Sequence, residues 1–201
     1  MIGVINCGIN NIKSVLNAIE FLNISYDVIE KPDKLSSYEM LILPGVGSFD
    51  SGIQALKENH MFEVIQNSGK NGQKIFGICL GMQLLCIESE EGKENGLGLL
   101  DASVKHLKNI SCLGKVPHVG FNTIKSSDDD IFLKSMVGND YYYVHSFGVR
   151  VNSDCTKVAK SEYEGAEIVA AYRANNIFGT QFHPEKSGLK GLELIREAYE
   201  C

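Results

Sequence analysis

The chain has 201 residues, 44 % of them hydrophobic, and a formal charge of −6. That is enough for one domain to bury most of its apolar surface, and the acidic balance argues against nucleic acid or an anionic membrane as the partner. No stretch approaches the ~18 apolar residues of a membrane span, and Met1-Ile2-Gly3-Val4-Ile5 carries neither a basic leader nor a small-residue cleavage site, so a soluble cytoplasmic protein is expected.

Residues 3–6 read as a first strand, followed by a loop through Asn10 and Asn11 and a helix over 12–22 with Val15, Leu16 and Ile19 on its apolar side. A second strand covers 25–30. A third, 40–43, is apolar throughout, as a strand buried on both faces should be. A helix over 49–57 follows. Alternating strands and helices imply a parallel sheet covered by helices, and ligands of such sheets bind outside the carboxyl ends of the strands. Pro44-Gly45-Val46-Gly47 falls at one such end. Gly45 and Gly47 free the backbone to present an N–H to a substrate oxygen, although a turn that merely caps the strand has the same composition.

The stretch Lys74 to Leu85 begins as a short apolar run and continues with helical spacing at Met82, Leu84, Leu85 and Glu88. Strand, sharp turn and helix meet at Gly77-Ile78-Cys79-Leu80-Gly81, the nucleophile-elbow pattern with a thiol in place of the hydroxyl. Backbone must approach backbone in such a turn, which small residues at Gly77 and Gly81 permit. The first turn of the helix aims unpaired N–H groups at the sulfur, an arrangement that favours thiolate, and places the N–H of Leu80 to donate to an oxyanion. An inert core cysteine is the plain alternative.

The second half is mixed. Residues 97–113 and 122–131 carry alternating segments consistent with hairpin strands, 141–151 reads as one strand, and 157–162 and 167–173 as antiparallel pieces around Glu164-Gly165. A closing helix over 188–199 has Leu189, Leu192, Leu194, Ile195 and Ala198 for its buried side. The expected class is α/β, with a central mostly parallel sheet flanked by helices and additional antiparallel strands. The six cysteines lack Cys-x-x-Cys pairing, so neither a zinc site nor a disulfide framework is expected, and no cofactor. Asp128-Asp129-Asp130 reads as a solvated loop, and His60, His106 and His118 as residues that pack or face water.

A nucleophilic thiol needs a base, and Gly179-Thr180-Gln181-Phe182-His183-Pro184-Glu185-Lys186 offers one. On an extended segment His183 and Glu185 face the same side, so His183 can take the proton from Cys79 while Glu185 fixes the tautomer. Pro184 ends the strand or places it at an edge.

Pro44-Gly45-Val46-Gly47, Gly77-Ile78-Cys79-Leu80-Gly81-Met82-Gln83 and Gln181-Phe182-His183-Pro184-Glu185-Lys186-Ser187, in this order, resemble the triad-type (class I) glutamine amidotransferases, whose fold is flavodoxin-like. Pro117-His118-Val119-Gly120-Phe121-Asn122 and Tyr141-Tyr142-Tyr143-Val144-His145-Ser146 narrow the resemblance to the glutaminase subunits of imidazole glycerol phosphate synthase. The resemblance covers essentially the whole chain and implies a catalytic triad of Cys79, His183 and Glu185. It further implies an oxyanion hole from Leu80 and the Gly45-Val46-Gly47 loop, glutamine contacts from Gln83, and a backbone hold on the amino-acid end by His145 and Ser146. It also implies a cyclase subunit (HisF-like) with a (β/α)8 barrel, paired with this chain as a heterodimer and meeting it at Asn11, Phe121 and Lys186, which takes the ammonia to make imidazole glycerol phosphate in histidine biosynthesis. The chain departs from the family at Asn10, where glycine is usual, at Phe121, usually Trp, and at Phe147, usually Tyr. Two other readings keep part of this chemistry: a paralogous glutaminase that feeds a sugar amidotransferase of surface-polysaccharide synthesis, and a stand-alone Cys-His-Glu γ-glutamyl hydrolase.

Overall fold

The computed structural model describes residues 1–8, 12–32 and 35–201. Among the described residues, nine strands form the large sheet. Its first part is parallel: β1 (Ile2–Ile5) lies between β2 (Tyr26–Ile29) and β3 (Met40–Gly45), and β4 (Lys74–Cys79) follows β3.

A two-residue β5 (Glu88–Ser89), β6 (Ala102–His106) and β9 (Phe147–Val151) make a separate three-stranded sheet. The remaining strands, β7 (His118–Ser127), β8 (Asp140–His145), β10 (Lys157–Tyr163), β11 (Ala166–Ala174) and β12 (Ile177–Thr180), complete the large one. Its order is β2-β1-β3-β4-β12-β11-β10-β7-β8, with β12 parallel to β4 and every pairing beyond β12 antiparallel. The expected mixture of a parallel core and antiparallel additions is therefore present.

Helices cover both faces, as the apolar strands require. Alternate residues of a strand point to opposite faces, so Leu41 and Leu43 pack with α2 (Phe49–Glu58), α3 (Phe62–Lys70) and α4 (Leu80–Leu84). Met40 and Ile42 pack instead with α1 (Lys13–Phe21), α5 (Ile131–Lys134) and α6 (Gly188–Glu200). The small sheet adds Ala102, Val104 and Val149 to the first of these cores.

Several elements differ from the sequence-based expectation. The helix after Cys79 ends at Leu84, and Glu88 belongs to β5, because the chain must turn back to pair with β6. Residues 97–113 contain no hairpin: β6 runs into a 3-10 turn, Leu107–Ile110, and its partners β5 and β9 come from elsewhere in the chain. Residues 141–151 break at Ser146 into two strands of two different sheets. The helix α3 has no counterpart in the sequence reading. Asp130 is not simply solvated, since its carboxylate caps α5 by accepting from the Leu133 N–H at 3.0 Å. Among the described residues no helix is long and apolar enough to cross a membrane.

Candidate active site

Three neighbouring strands end at one rim. Gly45, last in β3, is level with Cys79, last in β4, and Thr180 of β12 is level with Ile78, which puts Gln181 beside Cys79. This is the carboxyl edge of the parallel segment, where such sheets bind ligands.

Cys79 has φ 54° and ψ −109°, a backbone conformation that costs a non-glycine residue energy and that its surroundings must hold in place. Those surroundings are tight backbone contacts. A Cβ on Gly77 would lie 2.7 Å from the carbonyl group of Gly81 and from Met82 Cα, and a Cβ on Gly81 would lie 1.7 Å from the Leu43 carbonyl oxygen. Gly45 would meet the Gly81 nitrogen at 2.8 Å. The glycines thus press the first turn of α4 onto the ends of β3 and β4, and the turn presents Cys79 and Leu80 to the solvent side of the rim.

A cleft of about 440 Å³ opens there, lined by Val46, Gly47, Cys79, Leu80, Gln83, Glu91, Pro117, Val144, His145, Ser146, Phe147 and His183. Most of the residues expected at the site line it together. Gly45 does not; it borders the small space behind His183 and Glu185 and packs against α4. Phe121 and Lys186 lie outside the cleft, with Phe121 64 % exposed. Asn11 lies outside the described residues.

His183 and Glu185 meet, though not as neighbours on one face of a strand. β12 stops at Thr180, His183 makes an isolated bridge to Tyr142, and Glu185 sits in a 3-10 turn, Pro184–Lys186, that Pro184 begins. The turn brings Glu185 Oε1 to 2.8 Å from His183 Nδ1. Both side chains are 4 % exposed. Burial opposes a charge on the imidazole, but the Cys79 sulfur and then the Glu185 carboxylate outweigh it, and the pKa of His183 is pushed up from 6.5 to about 9. The ring is therefore a proton donor at neutral pH, held by Glu185 with Nε2 as the nitrogen left for chemistry.

Gln83 is tied down on the opposite side. Its Nε2 donates to the Phe147 carbonyl at 3.0 Å and to Gln181 Oε1 at 3.0 Å. Both amide hydrogens have partners, so Gln83 offers the cleft its carbonyl oxygen, an acceptor suited to an N–H of the ligand. The same Phe147 carbonyl lies 2.8 Å from His145 Nδ1, which must therefore carry the hydrogen. His145 Nε2, then an acceptor, is 3.0 Å from His118 Nδ1, and His118 is stacked between Tyr143 and Tyr163 with centroids 4.5 and 3.9 Å away. Burial pushes His118 down to about 4 and His145 to about 3, which keeps both neutral.

His118 thus does more than pack. Its role was invisible in sequence because its partner is 27 residues away on a different strand. Glu91 was also missed: among the described residues it supplies the one carboxylate of the cleft lining, and it accepts from the Phe49 N–H at 2.7 Å, anchoring the loop after β5 to the start of α2. No local pattern marks it, because its partner Phe49 is 42 residues away in the chain.

A strained cysteine, a buried imidazole–carboxylate pair and a cleft lined by an acceptor and a carboxylate make a site for acyl transfer through a thioester. Residues 3–199 match the family described as glutamine amidotransferase class-I. The chain belongs to the class-I glutamine amidotransferases.

Within that family it is similar to proteins named imidazole glycerol phosphate synthase subunit HisH. The one from Bacillus licheniformis is 42 % identical over 204 residues, covering 100 % of this chain and 95 % of the relative. The one from Oceanobacillus iheyensis is 41 % identical over 202 residues, covering 100 % and 98 %. At that level the chain is a HisH-type glutamine amidotransferase. A crystal structure titled glutamine amidotransferase superposes with a TM-score of 0.78 at 17 % identity, covering 100 % of this chain and 99 % of that one, and shows the shared fold.

Proposed function

We propose that the chain, as one catalytic domain over residues 1–201, hydrolyses L-glutamine to glutamate and ammonia in the cytoplasm, and hands the ammonia to a cyclase subunit that makes imidazole glycerol phosphate for histidine biosynthesis. The observation that carries the reading is the placement of strained Cys79 and buried His183 in one cleft, with Gln83 and Glu91 across it. Relatives named as synthase subunits favour this acceptor over a sugar amidotransferase or a stand-alone hydrolase.

The glutamine side chain enters toward Cys79, and the amino-acid end lies against Gln83 Oε1, the Glu91 carboxylate and the backbone of His145 and Ser146. The Cys79 thiolate attacks the amide carbon, and the N–H groups of Leu80 and of Val46 or Gly47 take the developing oxyanion. The His183 imidazolium gives its proton to the departing nitrogen as the C–N bond breaks, so ammonia leaves and a γ-glutamyl thioester remains. Water then attacks the thioester, neutral His183 takes its proton, and the sulfur departs as glutamate is freed. Glu185 keeps Nδ1 protonated throughout.

Free ammonia is mostly protonated at neutral pH, so a tunnel to the acceptor is needed, and the surface beside the cleft suits a docking partner. Val119 and Val144 are directly opposite on β7 and β8, and Phe121 and Tyr142 are the next pair on the same face. Val119, Phe121 and Val144 are 55 %, 64 % and 40 % exposed, an apolar strip that runs from the cleft rim to Lys186, whose amino group sits 5.9 Å over the Tyr142 ring. Asn11 is proposed for the same interface. The test is glutamate and ammonia release by the isolated chain and by its mixture with a cyclase subunit: turnover requiring Cys79 and rising in the mixture is expected, and a Cys79→Ala chain that still releases ammonia overturns the reading.

A further inference from the structure

Gln181, which belongs to neither the triad nor the oxyanion loop, makes a polar side-chain contact with the Cys79 sulfur. It is fully buried, its backbone N–H donates to the Ala170 carbonyl at 2.8 Å, and its side chain lies between Gln83 and Cys79. The orientation of its amide follows from the bonds around it. Phe147 O is a carbonyl and can only accept, so the Gln83 group facing it is the NH2. That same NH2 faces Gln181 at 3.0 Å, so the Gln181 atom there is the oxygen. The remaining end of Gln181, the NH2, is then directed at the Cys79 sulfur, with Nε2 3.8 Å from Sγ.

We propose that Gln181 is a further catalytic residue, an N–H donor to the Cys79 sulfur that stabilises its anionic form, with Gln83 as the residue that sets which end of the amide faces the sulfur. This rests on the reading of Cys79 as nucleophile. A buried donor beside an anionic sulfur acts twice in the reaction, in the resting thiolate and when the sulfur departs from the thioester. The 3.8 Å Nε2–Sγ contact is long because sulfur is large and diffuse. Gln83 thus has two roles on two atoms: Oε1 faces the cleft, and Nε2 locks Gln181.

The other titratable groups that face this cluster are His183 at the end of β12, Glu185 behind it, His145 on β8 and Glu91 on the loop after β5, with the Tyr172 hydroxyl bonded to the Met82 carbonyl under α4 at 2.8 Å. Of these, His183 is raised to about 9, while burial keeps His145 neutral and raises Tyr172.

Two variants separate a donor from a scaffold. Gln181→Glu keeps an oxygen for Gln83 Nε2 and turns an acceptor toward the sulfur, whereas Gln181→Met has similar volume and neither function. The readout is the rate of Cys79 alkylation by iodoacetamide against pH in the full chain, with Cys79→Ala as the blank. A donor role predicts that the half-maximal pH moves up by about one unit in both variants, with an alkylation rate at pH 7 lowered about tenfold. A scaffold role predicts that Gln181→Met, which adds no charge beside the sulfur, retains the wild-type midpoint, whereas the carboxylate of Gln181→Glu raises it by repulsion in either case.

Because Gln181 is buried, folding of each variant is checked by thermal melting. A measurement on the unsubstituted chain stands beside them: the Gln181 side-chain amide proton should shift across the pH range with the midpoint of alkylation, and should not do so in Cys79→Ala. A wild-type midpoint in Gln181→Met, or an amide resonance that ignores the sulfur's titration, overturns the proposal. Failure of Cys79 to alkylate at any pH would instead overturn the assignment of the nucleophile.

Discussion

Gly77→Ala is the sharpest test of how the elbow is built. The added Cβ meets three backbone atoms at once, the carbonyl carbon and oxygen of Gly81 and Met82 Cα, each at 2.7 Å. None of them is the end of a flexible side chain, so the first turn of α4 must move away from β4 by several tenths of an ångström. Overpacking of this kind costs about 1–3 kcal/mol, partly offset by the about 0.4–1 kcal/mol that alanine removes from the entropy of the unfolded chain. The net is about 0–2.6 kcal/mol, so at roughly 2–4 °C per kcal/mol for a chain of this size the melting temperature should fall by up to roughly 10 °C.

Activity should fall further than stability suggests, because the displaced turn carries the Leu80 N–H and Gln83; a misplacement near 1 Å costs on the order of a hundredfold. Gly81→Ala, whose Cβ would lie 1.7 Å from the Leu43 oxygen, should be worse in both respects. Gly148→Ala meets only side-chain carbons at 3.5 Å or more and should melt within about a degree or two of wild type. Differential scanning fluorimetry and glutamate release coupled to glutamate dehydrogenase measure the three. Gly77→Ala with wild-type melting and turnover would refute the account of the elbow, as would a larger loss in Gly148→Ala than in Gly77→Ala.

Further expectations follow from the same geometry. Cys79→Ala should retain the fold, because the strained backbone suits alanine no worse than cysteine, and should release no ammonia from glutamine above a blank. Glu185→Gln removes one of the interactions that raise His183, so the alkaline limb of the pH–rate profile, expected near pH 9, should move to lower pH. In stability, a histidine raised from 6.5 to about 9 contributes fully below pH 6.5 and loses its contribution as the pH rises through 9, so the melting gap between wild type and Glu185→Gln should narrow over that interval.

His118 and His145 have the opposite sign: both are lowered from 6.5, to about 4 and about 3, so the unfolded chain takes up protons first and stability drops as the pH falls below 6.5. From pH 6.5 to 5 this amounts to roughly 2 kcal/mol for each group, and melting should fall by roughly 10 °C, with about half that slope in His118→Phe. Phe121→Ala should weaken binding of the cyclase subunit about tenfold or more in calorimetry, and unaltered affinity would move the interface elsewhere.

Much of the site was legible because its chemistry is written in short local patterns. Gly77-Ile78-Cys79-Leu80-Gly81 announces a strained turn since only small neighbours let β4, β3 and α4 approach, and the close contacts of Gly77 and Gly81 are that reason in coordinates. His183 and Glu185 were legible as a pair although the local geometry was misread: Pro184 converts the segment from strand to turn, and the turn brings the two side chains together where a strand would only have pointed them the same way. The break at Ser146 was not legible, since 141–151 is continuously aromatic and β-branched and its two halves belong to different sheets through partners far away in the chain.

What the sequence determined by itself was the chemistry and the class of fold: a nucleophilic thiol, a base with its carboxylate, and strands whose apolar character requires helices on both faces. Which residues serve those groups was decided by tertiary structure alone. Gln181, His118 and Glu91 acquire their roles from partners 102, 27 and 42 residues away. A hydrogen bond depends on distance and direction in space, and across such separations neither is encoded in any pattern of neighbouring residues.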